Sequence, residues 1–269
     1  MIVSELLDAL LEAFPAQDAE TWDHVGLSAG DQNQEVSGVL CALDATEAAL
    51  EQAEALGANV LLTHHPVYLK APDAFGPSRS DLPACSSVVY RAIRNGISII
   101  SMHTNLDRSF AARECLPALV GLSAVRSLES ADPSYHGLGA LCPCDDMSLK
   151  DLAQACARAF GGAPRVWGDP SRRVSAAAFL GGSLGDFGEL ARKVGADAII
   201  CGEVGYHRAQ DLHERGCAVI ELGHDRSEQP FVQILAQAAR HAGVPERVIH
   251  SYSGAPNWWT ATLGESEWE

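Results

Sequence analysis

The chain alternates between two hydrophobic patterns, one helical and one typical of buried strands. Near the amino terminus, Leu6, Leu7, Leu10 and Leu11 recur at helical spacing among polar residues, which predicts an amphipathic helix. Further along, short apolar runs follow helical stretches that end in glycine. Such runs are typical of parallel strands that are buried on both faces in βαβ units. The pattern therefore predicts an α/β fold.

One series of segments occurs twice along the chain. Val36 and Val174 each open an apolar run that is followed by a helical stretch, a glycine and a second apolar run. Val36 precedes Gly57 by 21 residues, and Val174 precedes Gly195 by the same 21 residues. Any two βαβ units share part of this pattern, but the matched spacing favours an internal duplication. The two predicted α/β domains are residues 1–128 and residues 129–269.

Histidines and carboxylates follow four of the predicted strands. Sites in parallel α/β proteins lie at the carboxyl ends of the strands, so residues just after each apolar run are candidates for a site. Five of the ten histidines in the chain lie at these positions, together with three acids. The candidates are His64, His65, His103, Asp107, Glu203, His207, His224 and Glu228.

Two of the strand ends carry a histidine and a carboxylate at the same spacing. His224 and Glu228 are four residues apart, as are His103 and Asp107. A helix that begins at either histidine would bring both side chains of the pair to one face. Each pair alone is also explained by a hydrogen bond at a helix start. Their joint occurrence at strand ends favours a metal site.

The ligand types indicate which metals such a site would hold. His64 and His65 are adjacent, and Pro66 favours an extended turn in which both rings can face one site. Imidazoles and carboxylates without thiolates suit Zn, Fe, Mn or Ni better than Ca or Mg. The number of ligands exceeds what one tetrahedral zinc needs and fits a pair of divalent ions roughly 3.5–4 Å apart with a bridging water.

The charge balance narrows the range of partners. The chain has 19 Lys and Arg residues against 35 Asp and Glu, which gives a formal net charge of −16. This balance argues against nucleic-acid binding by phosphate neutralisation and against an anionic membrane surface. No apolar run reaches the roughly 18 residues of a membrane span, and the amino terminus lacks the basic region of a signal peptide. With eight irregularly spaced cysteines, these features predict a cytoplasmic protein with reduced thiols.

The combined motifs resemble the Nif-three-like family, whose bacterial members are often named GTP cyclohydrolase 1 type 2. The resemblance runs in order from about residue 1 to residue 245, and the tail with Asn257 matches less clearly. His24 stands where the family commonly has Asn. The motifs are residues 22–27, 62–66, 103–107, 202–207 and 223–228. The resemblance implies two similar α/β domains with a dinuclear metal centre in the cleft between them, and a toroidal homohexamer.

The resemblance also implies a role for each candidate residue. The implied metal ligands are His64, His65, Asp107, His224 and Glu228. The implied cleft residues, which would contact substrate or transfer protons, are His103, Glu203 and His207. The implied function is a metal-dependent hydrolase that activates a bridging water toward a small anionic, nucleotide-like substrate. A metal-binding regulatory, storage or delivery protein without turnover remains the alternative, and the charge of −16 argues against a ring that threads DNA.

Overall fold

The structure is a computed structural model, and it describes residues 1–78, 81–254 and 258–261. Asn257, which belongs to the weakly matching tail, lies outside the described residues. None of the helices in the described ranges has the length and apolar content needed to span a bilayer.

Helices and strands alternate along most of the chain. The helices are α1 (Val3–Ala13), α2 (Glu47–Leu56), α3 (Ala84–Arg94), α4 (Thr104–Asp107), α5 (Phe110–Leu119), α6 (Leu149–Phe160), α7 (Phe187–Lys193), α8 (Tyr206–Glu214), α9 (His224–Glu228) and α10 (Phe231–His241). The strands are β1 (Gly26–Ala29), β2 (Val39–Ala42), β3 (Val60–Thr63), β4 (Ser98–Ser101), β5 (Ala140–Ser148), β6 (Arg165–Trp167), β7 (Arg173–Phe179), β8 (Ala198–Cys201), β9 (Ala218–Glu221) and β10 (Ile249–Ser251).

The strands form two mixed sheets, which confirms the predicted α/β class. The first sheet has the order β1-β4-β3-β2-β10, in which only β1 runs antiparallel to its neighbour. The second sheet has the order β5-β7-β8-β9-β6, in which β7, β8 and β9 are parallel and both edge strands are antiparallel. In the first sheet, β1 directly precedes β2, β3 and β4 in the chain and pairs with β4. In the second sheet, β6 directly precedes β7, β8 and β9 and pairs with β9.

The apolar runs form strands because both faces of each sheet are covered. In the first sheet, Leu40 and Leu61 pack with α2 and α3 in an outer cluster. Their strand neighbours, such as Leu62, belong to a larger cluster that also contains Phe179 and Ile200 of the second sheet. Successive strand residues point to opposite faces, so each strand contributes to both clusters. The larger cluster therefore forms a common core between the two sheets.

The carboxyl-terminal part of the chain returns to the first sheet. β10 pairs with β2 in parallel register, and Tyr252 N donates to Cys41 O. The preceding helix α10 contacts β2, β3 and β10. Residues 249–251, which were expected in the second domain, therefore form an edge strand of the first sheet.

Candidate metal centre

Six of the candidate side chains meet where the carboxyl ends of β3, β4 and β9 approach each other. Three groups of them have ligand atoms within 4.8 Å of one another. The groups are His64 with His65 and His103, His65 with His224 and Glu228, and His64 with Asp107 and Glu228. The cluster therefore joins side chains that follow strands of both sheets.

Backbone hydrogen bonds hold the two adjacent histidines at the end of β3. His64 N donates to Ala42 O, and His65 N donates to Leu43 O, so the pairing with β2 continues past the end of the strand. The Thr63 hydroxyl donates to His65 O at 2.7 Å and tightens the turn. The backbone therefore fixes both imidazoles before any side chain of the cluster contacts them.

His64 is oriented as a ligand and lies in the centre of the cluster. The residue is fully buried, and Nδ1 donates to Met102 O at 3.0 Å. Because a carbonyl only accepts, Nδ1 carries a proton, and Nε2 is the atom that the neutral imidazole would offer to a metal ion. This atom lies 3.6 Å from Asp107 Oδ1 and 3.7 Å from Glu228 Oε1.

Two of these atoms support the fit of a metal ion to the residues present. His64 Nε2 and Asp107 Oδ1 are buried and have no hydrogen-bond partner. A buried polar atom without a partner costs about 1–3 kcal/mol. At 3.6 Å the two atoms are too far apart to hydrogen-bond to each other, whereas a cation between them would contact both. Imidazole nitrogen and carboxylate oxygen are the donors that Zn, Fe, Mn or Ni prefers.

Glu228 connects the two sides of the cluster. Its Oε2 lies 2.8 Å from His65 Nε2 and 3.1 Å from His224 Nε2, while Oε1 faces His64. Burial alone would raise the pKa of Glu228, but the surrounding imidazoles hold that pKa well below its usual range. The side chain is therefore an ionised carboxylate with each oxygen directed to a different part of the cluster.

Asp107 has a different electrostatic environment. Burial, and after it the nearby charge of Glu228, raise the pKa of Asp107, although His64 acts in the opposite direction. Without a cation this carboxyl group is thus shifted toward its neutral form. A bound cation would reverse that shift because it favours the ionised carboxylate.

Carboxylates outside the cluster orient three of the imidazoles. Nδ1 of His65 donates to Asp44 at 2.8 Å, and Nδ1 of His224 lies 3.1 Å from Glu203 Oε1. Such a partner on the second ring nitrogen is typical of histidines that bind metals. Asp44 was not among the residues predicted from the sequence, although it lies just after β2 and so at the carboxyl end of a strand. Glu203 lies at the edge of the cluster and orients His224.

His103 has the most elaborate of these partners. Its Nδ1 lies 2.8 Å from Asp23 Oδ1, and Asp23 Oδ2 accepts a hydrogen bond from Thr104 N at 3.0 Å and another from the Thr104 hydroxyl. Burial tends to raise the pKa of Asp23, but these hydrogen bonds lower it well below its usual value. The motif at residues 22–27 contained Asp23, but the sequence alone did not assign it a role.

The structure does not bring His207 to the cluster. His207 is exposed in the first turn of α8, and its ring contacts Tyr206. The strand β8 ends at Cys201 and α8 begins only at Tyr206, so His207 lies in the helix and not directly at the end of the strand. His24 is also apart from the cluster: its ring packs at 4.9 Å against Tyr68, and its Nε2 is buried without a hydrogen-bond partner.

Glycines allow the backbone of the second sheet to approach the cluster. Gly182 has a φ of +58°, and a Cβ atom there would lie 2.3 Å from Glu228 Oε1. Gly182 N also donates to Ser227 Oγ at 2.9 Å, and the same hydroxyl donates to His224 O. This loop therefore holds α9, the helix that carries both His224 and Glu228.

A cleft of about 600 Å³ opens onto the cluster. Its apolar walls include Trp22, Leu180 and Phe187. Arg108 also lines it, but its guanidinium is paired with Glu20 at 2.6 Å and with Glu129 at 2.9 Å. The cleft thus has the size of a small-molecule site, with its most polar wall at the cluster.

A sequence model of Duf34/NIF3 (NGG1p interacting factor 3) matches residues 1–251. The chain belongs to this family. One relative of this NIF3-family protein is a Streptomyces coelicolor protein named GTP cyclohydrolase 1 type 2 homolog. The two sequences are 32% identical over 241 residues, which cover 86% of this chain and 83% of the relative. A Clostridium acetobutylicum protein of the same name is 29% identical over 240 residues, with 87% and 88% covered. The expected family resemblance is confirmed.

Solved structures share the fold of this NIF3-family protein. A hypothetical protein from Staphylococcus aureus matches with a TM-score of 0.86 at 24% identity, covering 97% of this chain and 99% of that chain. A Bacillus cereus protein related to NIF3 matches with a TM-score of 0.85 at 19% identity and the same coverage. At these identities the likeness establishes the arrangement of the two sheets.

Metal binding is expected to release protons at neutral pH. Burial alone lowers the pKa of His65, but hydrogen bonds to Asp44 and Glu228 raise it to about 10. The hydrogen bond to Glu228 likewise raises the pKa of His224 to about 9. Both imidazoles are protonated in the metal-free protein at pH 7, so metal loading displaces about two protons and affinity rises with pH. Titration calorimetry in buffers of different ionisation enthalpy measures this number. Metal binding without proton release would contradict the assignment of these imidazoles as ligands. Asp44→Asn removes one of the groups that raise the pKa of His65, so it is expected to reduce the number of protons released.

Gly182→Ala is expected to weaken metal binding. The added methyl group meets Glu228 Oε1 and displaces the carboxylate, so affinity should fall about 10- to 100-fold, as for other changes that disturb ligand orientation. Gly185→Ala is the matched control, because Gly185 has a similar φ of +48° and no atom within 4 Å of an added Cβ. Competition with a chromophoric chelator measures both affinities. Equal affinities in the two variants would contradict the role of Gly182.

Proposed function

We propose that this NIF3-family protein is a metal-dependent hydrolase with a dinuclear centre. The proposed ligands of two divalent ions are His64, His65, Asp107, His224 and Glu228. The observation that carries the proposal is the buried pair His64 Nε2 and Asp107 Oδ1, which face each other without a hydrogen-bond partner. The donor set supports Zn, Fe, Mn or Ni.

The order of elements supports an internal duplication as the origin of this centre. The series α1-β1-β2-α2-β3-α3-β4-α4-α5 has the same order of helices and strands as α6-β6-β7-α7-β8-α8-β9-α9-α10. In this correspondence α4 matches α9, because α4 follows β4 and α9 follows the matching strand β9. His103 and Asp107 then correspond to His224 and Glu228. We infer that each of the two related α/β domains contributes one histidine–carboxylate pair to the cleft between them.

His103 is the proposed proton-transfer residue. When bound, the metal pair supplies a water of lowered pKa and polarises the bond to be cleaved. His103 Nδ1 donates to the ionised carboxylate of Asp23, so the lone pair of Nε2 is free to accept a proton from water in the cleft. Asp23 stabilises the imidazolium that results. The proton can then pass to the leaving group.

The proposed substrate is a small anionic molecule of nucleotide-like character. The cleft combines apolar and aromatic walls with the carboxylates Asp107 and Glu228 at one end. Two divalent ions against two carboxylates would leave about two uncompensated positive charges, which favours an anion. The relatives named GTP cyclohydrolase 1 type 2 homolog agree with such a substrate. A toroidal homohexamer and a cytoplasmic location belong to the same proposal.

A metal carrier without turnover is the second candidate. It is favoured by the position of His207, which is exposed and has no contact with the cluster in the described structure. Glu203 is bonded to His224, so its position is explained by orientation of a ligand. Only His103 then remains as a group for proton transfer. If the protein is a hydrolase, removal of His103 lowers its rate of turnover. If it is a metal carrier, the wild-type protein already shows no turnover.

The metal-loaded protein is expected to hydrolyse GTP or a model phosphoester. His103→Gln should lower kcat about 10²- to 10⁴-fold, the usual contribution of a general acid or base, while the metal content stays at two per chain. His207→Gln is the matched control and should retain the wild-type kcat. Product analysis and metal determination on the same samples measure both quantities. Two bound metals with no turnover of either substrate would favour the carrier and contradict the hydrolase.

A further inference from the structure

The candidate metal cluster is open on a second side. A separate cavity of about 370 Å³ is lined by Asp44 and Glu203, and by the same His65 and His224 that line the main cleft. The wall of this cavity also includes Trp258, which lies beyond the last strand. Two of the proposed ligands are thus reached from two directions.

Trp258 is held against the helix that carries two of the proposed ligands. Its indole N–H donates to Asp225 Oδ2 at 3.0 Å. The guanidinium of Arg226 lies over the ring, 5.1 Å from its centroid. Asp225 and Arg226 directly follow His224 in α9. The next residue, Trp259, is 82% exposed, against 45% for Trp258, so the two neighbouring indoles differ in their contacts.

The helix α9 needs such support from outside. It has five residues, His224–Glu228, and helices this short are not stable by themselves. On one side, the Ser227 hydroxyl accepts a hydrogen bond from Gly182 N in the loop after β7. On another, the described contacts of Asp225 and Arg226 include those with Trp258.

We propose that Trp258 is a positioning residue that holds α9 in place and narrows the opening of the second cavity, and thereby slows the exchange of metal ions through it. This inference rests on the proposed metal function. Removal of the indole would widen the opening beside His65 and His224 and would loosen the helix. Metal ions would then leave the cluster faster, whereas the main cleft would keep its walls.

The rate of metal release from the full chain tests this proposal. Zinc-loaded protein is mixed with a chromophoric chelator in excess, and the release rate is followed by absorbance. Trp258→Ala should release zinc about tenfold faster, which corresponds to loss of one hydrogen bond and one cation–π contact. Trp258→Phe keeps a ring over Arg226 but lacks the donor to Asp225, so its rate should lie between. Trp259→Ala is the matched control and should release zinc at the wild-type rate.

A second measurement separates this inference from the metal function. Hydrogen exchange of the metal-free proteins reports on α9 directly, and Trp258→Ala should speed exchange at residues 224–228 while Trp259→Ala should not. Equal zinc release from the two alanine variants would overturn the proposal. If neither the wild-type protein nor any variant retains zinc, the proposed metal function is wrong. Unchanged hydrogen exchange at residues 224–228 in Trp258→Ala would in that case also overturn the proposal that Trp258 holds α9.

Discussion

The carboxylate of Glu228 and the Oδ1 atom of Asp107 are buried, and the site is arranged around the positive charge that ionised carboxylates need there. An ionised carboxylate that is removed from water costs several kcal/mol unless it is paired. In the metal-free protein, His65 and His224 contact Glu228 and carry raised pKa values, so protons supply the charge on that side. On the other side, His64 Nε2 and Asp107 Oδ1 lie 3.6 Å apart, and neither has a hydrogen-bond partner. Divalent ions would compensate both sides with the same side chains in place.

The fold meets this requirement with few residues at the ends of strands. β3 places two imidazoles through backbone pairing that continues beyond the strand, while α4 and α9 each place a histidine and a carboxylate. These helices are too short to hold their own geometry. Met102 and Leu106 anchor the first in the common core, and the Gly182 loop holds the second through Ser227. The common core between the sheets therefore also determines the relative positions of the ligands.

Much of this arrangement could be predicted from the sequence, because the position of a parallel strand's carboxyl end follows from the apolar pattern. The strand-end rule found the proposed ligands and His103, and it would also have found Asp44. The rule could not predict the hydrogen bond from His64 Nδ1, because its acceptor is the backbone carbonyl of Met102 and every residue type has such a carbonyl. It also did not indicate that His207 lies apart from the cluster in the described structure, because the pattern does not show where α8 begins. The pairing of β10 with β2 depends on a three-residue strand with no clear apolar signal.

An X-ray structure of the metal-loaded protein, with anomalous scattering recorded at the absorption edge of the metal, would locate each ion at the cluster. We expect two anomalous peaks per chain that share Glu228 as a ligand. One should lie about 2.0–2.2 Å from His64 Nε2 and an Asp107 oxygen, and the other at similar distances from His65 Nε2 and His224 Nε2. A loaded protein whose peaks lie elsewhere, or a protein that shows no peak at this cluster, would contradict this expectation.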